Sequence, residues 1–203
     1  MQVATWNIRD LPLQKVSLPS FNIAVLTEVG AYDNTNYSII TGGKTIIGGR
    51  EKTKVAIVSR AELGSHRIPP GFHEGRIVET RANGITIVGV CIPWSGAYRL
   101  APWSAFTEFC NNLKPYLAEL DGPIIVAGDF NASPSRNPRA KHMIALQNAL
   151  SGLSVVTQPV RKENGRPLID HIATNLPVGA ISLIGDNAYN PSDHVGAMAE
   201  IRI

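Results

Sequence analysis

The chain has 203 residues, of which 44% are hydrophobic and 17% charged, a composition that excludes a disordered chain or a highly charged tail protein. Its 19 Lys and Arg residues against 16 Asp and Glu residues give a formal net charge of +3, which only hints at an anionic partner because solvated surfaces often carry such a charge. No repeat, low-complexity tract or long linker divides the sequence, so we expect one domain over residues 1–203.

The number of cysteines and the hydropathy of the sequence predict its cellular compartment. Cys91 and Cys110 are the two cysteines; they cannot build a multi-disulfide framework, and their spacing matches no zinc pattern. No apolar run approaches the roughly 20 residues needed to span a bilayer, and no signal-peptide pattern follows Met1. These features predict a cytoplasmic protein with no membrane association and no obligate protein partner.

Short β-type runs dominate the chain and are separated by glycine, proline and asparagine. Apolar residues with helical spacing predict two helices, over residues 101–120 and 139–150. Many strands with few helices predict a four-layer α/β sandwich, in which two mixed β-sheets are flanked by helices. The predicted strands cover residues 2–8, 22–28, 37–41, 54–59, 76–81, 85–92, 123–128, 168–174, 180–185 and 196–202.

The first two strands end in polar residues. Alternation places Asn7 and Arg9 on one face of the first strand, although a strand-end asparagine also commonly bonds its own turn. The second strand is apolar on both faces until Glu28. A carboxylate that closes a buried strand needs a partner, and a cation or a salt bridge to Arg9 would serve; an exposed strand end is the other alternative.

The strand over residues 123–128 leaves through Gly128 into Asp-Phe-Asn. Alternation aims Asp129 and Asn131 in the same direction, with Phe130 packed behind them. Asp-x-Asn is also typical of turns and helix caps. The motif is therefore compatible with a catalytic role and with a purely structural one.

Two Asp-His pairs occur late in the chain. Asp170 precedes a histidine inside a strand, and Asp193 and His194 follow Ser192 before the last strand. Each pair is short enough to arise by chance. A capping role for Ser192 or Asp193 and a histidine at the edge of the core are the structural alternatives.

The polar strand ends say more together than separately. Their carboxylate and amide oxygens are hard ligands that suit Mg²⁺ or Mn²⁺, and their histidine and amide groups can orient a phosphate. The sequence contains no phosphate-binding glycine loop, no Gly-x-Ser-x-Gly elbow and no dinucleotide glycine pattern. This combination indicates metal-assisted phosphoryl transfer.

The order Thr-Trp-Asn, strand-end Glu, Gly-Asp-Phe-Asn, Ile-Asp-His-Ile and Ser-Asp-His resembles the endonuclease/exonuclease/phosphatase superfamily, which includes deoxyribonuclease I and exonuclease III. The resemblance runs from Ala4 to the C-terminus. Gly-Asp-Phe-Asn and Ser-Asp-His are specific in combination, because their order and separation match as well as their letters. The resemblance implies a hydrolase of phosphate esters with Mg²⁺ or Mn²⁺ as cofactor.

The resemblance also implies roles on the metal side of a site. Glu28 corresponds to the family's principal metal ligand, Asn7 to its metal-shell asparagine, and Asp193 to a carboxylate near the metal. Arg9 looks like the deoxyribonuclease I version of the motif, Asn-Ile-Arg. We expect Arg9 to contact substrate, and apurinic endonucleases carry an acid in its place.

On the catalytic side, Asp129 resembles the residue that activates or orients the attacking water, and Asn131 its phosphate-orienting neighbour. Asp170 resembles the carboxylate that supports the catalytic histidine, and His194 the histidine that faces the phosphoryl oxygen. One position departs from the pattern: Cys91 stands where the family usually presents Tyr or His. We expect Cys91 to pack rather than react.

Three functions are compatible with these features. We favour a nuclease that cleaves DNA, or else RNA, because basic residues fall in predicted rim loops, Arg136, Arg139 and Lys141 among them; such residues are also commonly just a solvated face. A phosphatase or phosphodiesterase of a small molecule or lipid headgroup is the first alternative, since a fold does not fix a substrate. A non-catalytic nucleic-acid-binding relative is the second.

Overall fold

The computed structural model describes residues 1–32, 36–47, 50–73, 75–95, 97, 101–133, 139–186 and 191–203. Its helices are α1 (Ser104–Ala118) and α2 (Lys141–Ala149), and a single 3-10 turn covers Leu13–Lys15. Its strands, in chain order, are β1 (Gln2–Asn7), β2 (Ile23–Val29), β3 (Ser38–Thr41), β4 (Lys44–Ile47), β5 (Arg50–Ser59), β6 (His66–Arg67), β7 (Ile77–Ala82), β8 (Ile85–Cys91), β9 (Ile124–Asp129), β10 (Ser154–Val155), β11 (Asp170–Thr174), β12 (Val178–Ile184) and β13 (Gly196–Ile201).

The strands form two mixed sheets. The first is seven-stranded with the order β12-β13-β1-β2-β5-β3, and β4 pairs with the remaining length of β5. The second is six-stranded with the order β10-β11-β9-β8-β7-β6. Each contains one parallel pair, β1 with β2 and β8 with β9, while the other pairs are antiparallel.

The main core lies between the two sheets. Alternate residues of β1, β2 and β5, such as Val25 and Ile57, pack against residues of β8 and β9, such as Ile87 and Ile125. Both sets are fully buried. Alternation along each strand leaves a second apolar set on the outer face of each sheet, which needs its own cover.

The two outer faces are covered differently. On the second sheet, α1 and α2 present Phe106, Leu113 and Leu146 to an apolar cluster with Val88 and Val126. On the first sheet, the segment after β1, with Leu13 of the 3-10 turn, covers residues such as Leu26. The predicted α/β sandwich of two mixed sheets is confirmed, with few helices in its outer layers. Neither α1 nor α2 is long and apolar enough to cross a bilayer.

The predicted elements agree with the structure to within a few residues, with three differences. Strand β5 begins at Arg50, earlier than the predicted residue 54, because its polar first half pairs with β4, which was not predicted. The short edge strands β6 and β10 were also not predicted. Finally, α1 begins at Ser104 rather than residue 101.

Candidate active site

One edge of the sandwich collects the polar strand ends. Because β1 and β2 run parallel, Asn7 and Glu28 lie at the same edge, and the parallel pair β8 and β9 ends with Cys91 opposite Asp129. The antiparallel neighbour β11 begins there, with Asp170 opposite Asp129. The turn before β13 brings Asp193 and His194 to the same edge, as expected for a strand antiparallel to β1.

These residues line a cleft of about 520 Å³. Its lining includes every predicted catalytic or metal residue except Asp170, which lies directly behind His194. The residues lining the cleft are Asn7, Arg9, Glu28, Thr45, Ile46, Lys54, Arg76, Cys91, Trp94, Ala97, Asp129, Asn131, Asp193 and His194.

A hydrogen-bond network joins the two sheets beneath the cleft. The Asn7 side chain donates from Nδ2 to Asp129 Oδ2 at 2.9 Å, and its backbone N–H donates to Asp170 Oδ1 at 2.8 Å. Asn7 Oδ1 accepts the N–H of Arg9 at 3.0 Å. Asn7 therefore bonds its own turn, as one alternative predicted, and its side chain also lies in the cleft.

Asp170 and His194 form a close pair. The Nδ1 atom of His194 lies 2.7 Å from Asp170 Oδ2, and the Asp170 side chain is fully buried. Burial lowers the pKa of His194, but the hydrogen bond and charge of Asp170 outweigh it and raise the pKa to about 9. The imidazole is therefore protonated at neutral pH, donates from Nδ1 to Asp170, and directs its other ring nitrogen away from that carboxylate.

The preceding turn positions the histidine. Ser192 donates from Oγ to the Asn7 carbonyl at 2.7 Å and accepts the N–H of His194 at 3.1 Å. The Trp6 indole donates to the His194 carbonyl at 3.1 Å. Ser192 therefore bonds its own turn rather than capping a helix, since strand β13 follows, and its bond to Asn7 ties the histidine loop to strand β1.

Asp129 is buried in the floor of the cleft. Its Oδ1 accepts the N–H of Asn131 at 2.8 Å, the turn geometry expected of Asp-x-Asn. Burial raises the pKa of Asp129 most, and the charge of Asp170 adds to that effect, so the pKa is about 7. The opposing charge of His194 limits the rise. An aspartate with this pKa can accept a proton at neutral pH.

Residues with unusual, positive φ values also lie at this edge of the sandwich. Gly128, which precedes Asp129, has a φ of 140°, and a Cβ there would lie 1.8 Å from the Val90 carbonyl oxygen. Glu28 and Asn131, which are not glycines, have φ values of 49° and 51°. Such conformations are strained for L-residues and cluster at functional sites.

Glu28 is partnered by Lys54 rather than by Arg9. Its Oε1 lies 2.7 Å from Lys54 Nζ, and the side-chain exposures are 30% for Glu28 and 8% for Lys54. Arg9 instead faces Asp193 across 3.7 Å, and both of those side chains are mostly exposed. The salt bridge considered between Glu28 and Arg9 is therefore not formed.

The oxygen donors toward the cleft fit a hard divalent cation. Glu28, Asp193 and the Asn7 amide are carboxylate and amide ligands on the cleft wall, the donor types that Mg²⁺ and Mn²⁺ prefer. Asp129, Asp170 and His194 also present ligand atoms within 4.8 Å of one another. Both Asp170 oxygens accept hydrogen bonds, however, and one of them holds the imidazole. Both oxygens of Asp170 are thus already engaged within the network, as are the Asn7 Oδ1 atom and one Glu28 oxygen.

Cys91 and Arg76 form a buried contact beside the floor of the cleft. Arg76 donates from one guanidinium nitrogen to the Cys91 carbonyl at 2.9 Å, and the same nitrogen lies 3.5 Å from Cys91 Sγ. Burial and the nearby charge of Asp129 raise the pKa of the Cys91 thiol to about 12. The thiol is therefore neutral and unsuited to nucleophilic attack.

The remaining predicted residues lie at or beyond the rim. Asn131 lines the cleft and donates from its amide to the Ile92 carbonyl at 2.8 Å. Arg139 and Lys141 are exposed near the start of α2 and do not line the cleft. Arg136 lies outside the described residues. The rim also carries two exposed apolar side chains, Ile46 and Trp94.

The polar residues at the strand ends did not predict that Lys54 and Arg76 would line the cleft. Lys54 lies in the middle of β5, and Arg76 precedes β7. Both strands run antiparallel to a strand that ends in a site residue, so their early residues reach the same edge. A basic residue directly before an apolar, buried run, as Lys54 stands before residues 55–58 and Arg76 before β7, is the signal that could have identified them.

Comparison with known proteins gives a consistent picture. The sequence profile described as "Endonuclease/Exonuclease/phosphatase family" matches residues 4–194. No curated protein sequence matches significantly.

Among solved structures, the fold is similar to an AP endonuclease from Archaeoglobus fulgidus, with a TM-score of 0.77 and 16% identity. It is also similar to the 3′-5′ exonuclease NExo from Neisseria meningitidis, and to the 3′ phosphatase NExo from Neisseria bound to a product DNA hairpin, each with a TM-score of 0.74 and 17% identity. Each comparison covers 100% of both chains. At this identity, the structural similarity shows the fold alone.

Proposed function

Since the chain belongs to the endonuclease/exonuclease/phosphatase family, whose members are divalent-metal-dependent enzymes that hydrolyse phosphate esters, we propose that it is a nuclease that cleaves DNA backbone phosphodiesters. The observation that carries this proposal is the network joining Asn7, Asp129, Asp170 and His194 at one cleft. We also propose that residues 1–203 form a single catalytic domain.

Asp129 is the proposed base. The attacking group is a water, and Asp129 takes its proton as the new phosphorus–oxygen bond forms and the bond from phosphorus to the leaving oxygen breaks. Its raised pKa makes it a better proton acceptor than an ordinary aspartate at neutral pH. Asn7 fixes the orientation of the carboxylate through the 2.9 Å hydrogen bond to Oδ2, so the base need not reorganise during the reaction.

His194 is the proposed donor to the phosphate. Asp170 holds its ring through Nδ1, which leaves Nε2 as the nitrogen that can donate to a phosphoryl oxygen in the cleft. Charge builds on the phosphoryl oxygens during in-line displacement, and a fixed imidazolium stabilises it. Arg76 adds a second fixed positive charge to the same cleft wall.

A divalent cation bound first by Glu28, with Asn7 and Asp193 nearby, would neutralise a phosphoryl oxygen and the leaving oxygen. Mg²⁺ or Mn²⁺ suits these oxygen donors. Arg9, exposed beside Asp193, would contact a neighbouring backbone phosphate.

DNA is the proposed substrate. The cleft wall carries Arg9, Lys54 and Arg76, which suit a polyanion, and the rim residue Trp94 is 58% exposed and available to stack on a base. The fold is shared with the NExo protein bound to a DNA hairpin, which supports DNA over a small phosphate ester.

The test is a substrate panel with Mg²⁺ or Mn²⁺ containing supercoiled plasmid, single-stranded DNA, abasic duplex, RNA, an inositol phosphate and sphingomyelin. We expect DNA cleavage that disappears in excess chelator. His194→Ala should lower the rate by about 10²–10⁴. Loss of cleavage in that variant excludes a contaminating nuclease, and His66→Ala, which removes an exposed histidine of the edge strand β6, should retain activity and so controls for the loss of a histidine as such. Intact DNA and RNA together with a hydrolysed inositol phosphate or lipid would replace the nuclease proposal.

A further inference from the structure

One carboxylate in the cleft, that of Glu28, has two candidate cationic partners. Glu28 is the proposed first ligand of the divalent cation, and it already accepts a hydrogen bond from the Lys54 ammonium at 2.7 Å. Lys54 lies across the β2–β5 ladder from Glu28, because Thr27 pairs with Val55 and Val29 pairs with Thr53. The contact is therefore built into the sheet register rather than made by a mobile surface chain.

The two partners differ in how much they need each other. The Lys54 side chain is 8% exposed, whereas that of Glu28 is 30% exposed and opens on the cleft. A buried ammonium needs an anion, since an uncompensated buried charge is costly. The Glu28 carboxylate can instead be partly hydrated. Loss of the contact would thus affect Lys54 more than Glu28.

A phosphodiester entering the cleft supplies a second anion for Lys54. Lys54 lines the same cleft as Arg76 and His194, so its ammonium can turn from the carboxylate to a phosphate oxygen within one cavity. If Lys54 carries its charge to the substrate, Glu28 is left with a negative charge, which a bound cation would compensate.

We propose that Lys54 couples metal binding to phosphate binding: it occupies Glu28 in the free site and moves to the substrate phosphate when the cation takes Glu28. This inference rests on the proposed function, because it uses Glu28 as the metal ligand. It predicts that Lys54 weakens metal binding in the free protein and strengthens nucleic-acid binding only when metal is present.

The test measures Mn²⁺ binding without nucleic acid, by the electron paramagnetic resonance signal of free Mn²⁺ at constant pH and ionic strength. Lys54→Met keeps the length of the side chain and removes the charge, so it should bind Mn²⁺ about tenfold more tightly, the size expected when a competing charge is removed from a partly buried pair. Lys54→Gln should give the same direction, and thermal unfolding confirms that each variant is folded. Lys52→Met is the matched control: Lys52 lies on the same strand but pairs with Asp10, so its loss should leave Mn²⁺ affinity within about twofold of the wild type.

A second measurement follows binding of an unmodified DNA oligonucleotide by fluorescence anisotropy, with His194→Ala present in every protein compared so that cleavage is slow. Lys54→Met should weaken its binding about tenfold in saturating Mn²⁺ and change it little in chelator, where Lys54 stays on Glu28. Equal weakening in both conditions would mean that Lys54 acts as a general attractive charge, and the coupling proposal would be wrong.

Glu28→Gln separates the failure of this inference from that of the proposed function. If Glu28→Gln weakens Mn²⁺ binding but Lys54→Met leaves it unchanged or weaker, the metal assignment stands and the role of Lys54 is overturned. If Glu28→Gln leaves Mn²⁺ affinity unchanged, the metal assignment itself fails, and the competition fails with it.

Discussion

At the scale of single residues, the cleft is a set of groups whose charge states are fixed by their neighbours. Asp170 keeps His194 protonated, and burial makes Asp129 a stronger base. Burial also keeps the Cys91 thiol neutral by raising its pKa to about 12. Residues within one cleft therefore differ in proton affinity because of where the sheets place them.

Cys91→Ser should retain most of the cleavage activity. A neutral thiol contributes packing and a weak contact to Arg76, and a serine hydroxyl can accept a hydrogen bond from the same guanidinium. Steady-state cleavage rates of the two proteins at equal Mg²⁺ give the comparison. Complete loss of activity, or substrate phosphate covalently attached to Cys91 in the wild type, would show that the thiol takes part in the chemistry.

Asp170 and His194 should act as one unit. Asp170→Asn and His194→Ala should each lower turnover by about 10²–10⁴, the range of a positioned acid–base group. The double variant should cost little more than His194→Ala alone, because the carboxylate acts through the imidazole. A double-mutant cycle on turnover measures this. Multiplicative losses would show that Asp170 has a separate task.

His171 should make the fold sensitive to acid. It is fully buried, its Nδ1 lies 2.9 Å from Thr157 Oγ1, and burial lowers its pKa to about 4. Between that pKa and the ordinary value of about 6.5 the unfolded chain binds the extra proton, so the free energy of unfolding falls as pH drops through this window, by about 3 kcal/mol in total.

Urea unfolding at pH 7 and pH 4.5 of the wild type and His171→Gln isolates this contribution, because other titrating groups are common to both proteins. The wild type should lose more stability than the variant between the two pH values. Equal losses would contradict the assignment of a neutral, buried His171.

At the scale of elements, much of the architecture was predictable from the sequence, and the remainder depended on long-range pairing. Apolar runs such as residues 123–128 identified the central strands, because a buried strand needs apolar side chains on both faces. The polar start of β5 and all of β4 have no such pattern and are strands because they pair with each other. Lys54 was missed for a related reason: its partner Glu28 is set by β2–β5 register, which no local pattern shows.

The turn that carries Asp129 should tolerate no side chain at Gly128. Gly128→Ala combines a left-handed backbone with a Cβ placed 1.8 Å from a carbonyl oxygen of β8, so it should cost at least about 3 kcal/mol of stability. Gly122→Ala is the matched control, since Gly122 has a φ of 80° but open space around its Cβ position. Urea denaturation of both variants gives the two costs. Similar, small losses would contradict the close approach of β8 and β9.

At the scale of the whole molecule, the proposed binding of DNA would use positive charges that lie beyond the cleft. Arg139 and Lys141 are exposed at the start of α2, and Arg9 lies at the cleft mouth. A nuclease that holds backbone phosphates needs such charges on several elements, because phosphate contacts supply most non-specific affinity.

Neutralising Arg139 and Lys141 should weaken DNA binding equally for all sequences. The double variant Arg139→Gln, Lys141→Gln should lower the slope of log affinity against log salt concentration by about 2, which corresponds to two lost phosphate contacts. Lys114→Gln is the control, because it removes an exposed lysine near the C-terminal end of α1. An unchanged salt slope would show that these charges form only a solvated face.

The hydrogen-bond network should make activity sensitive to the distance between the two sheets. Asn7 and His194 belong to the first sheet and its loops, whereas Asp129 and Asp170 belong to the second, so each sheet carries only part of the network. The sheets approach closely at Gly89, where a Cβ would lie 2.9 Å from a Val55 methyl group. An increase of about 1 Å in the distance between the sheets would stretch the hydrogen bonds that join them beyond their normal length. Mild heat or denaturant should therefore inactivate the enzyme while both sheets remain folded. Inactivation would then come from movement between the two sheets, before any strand unfolds.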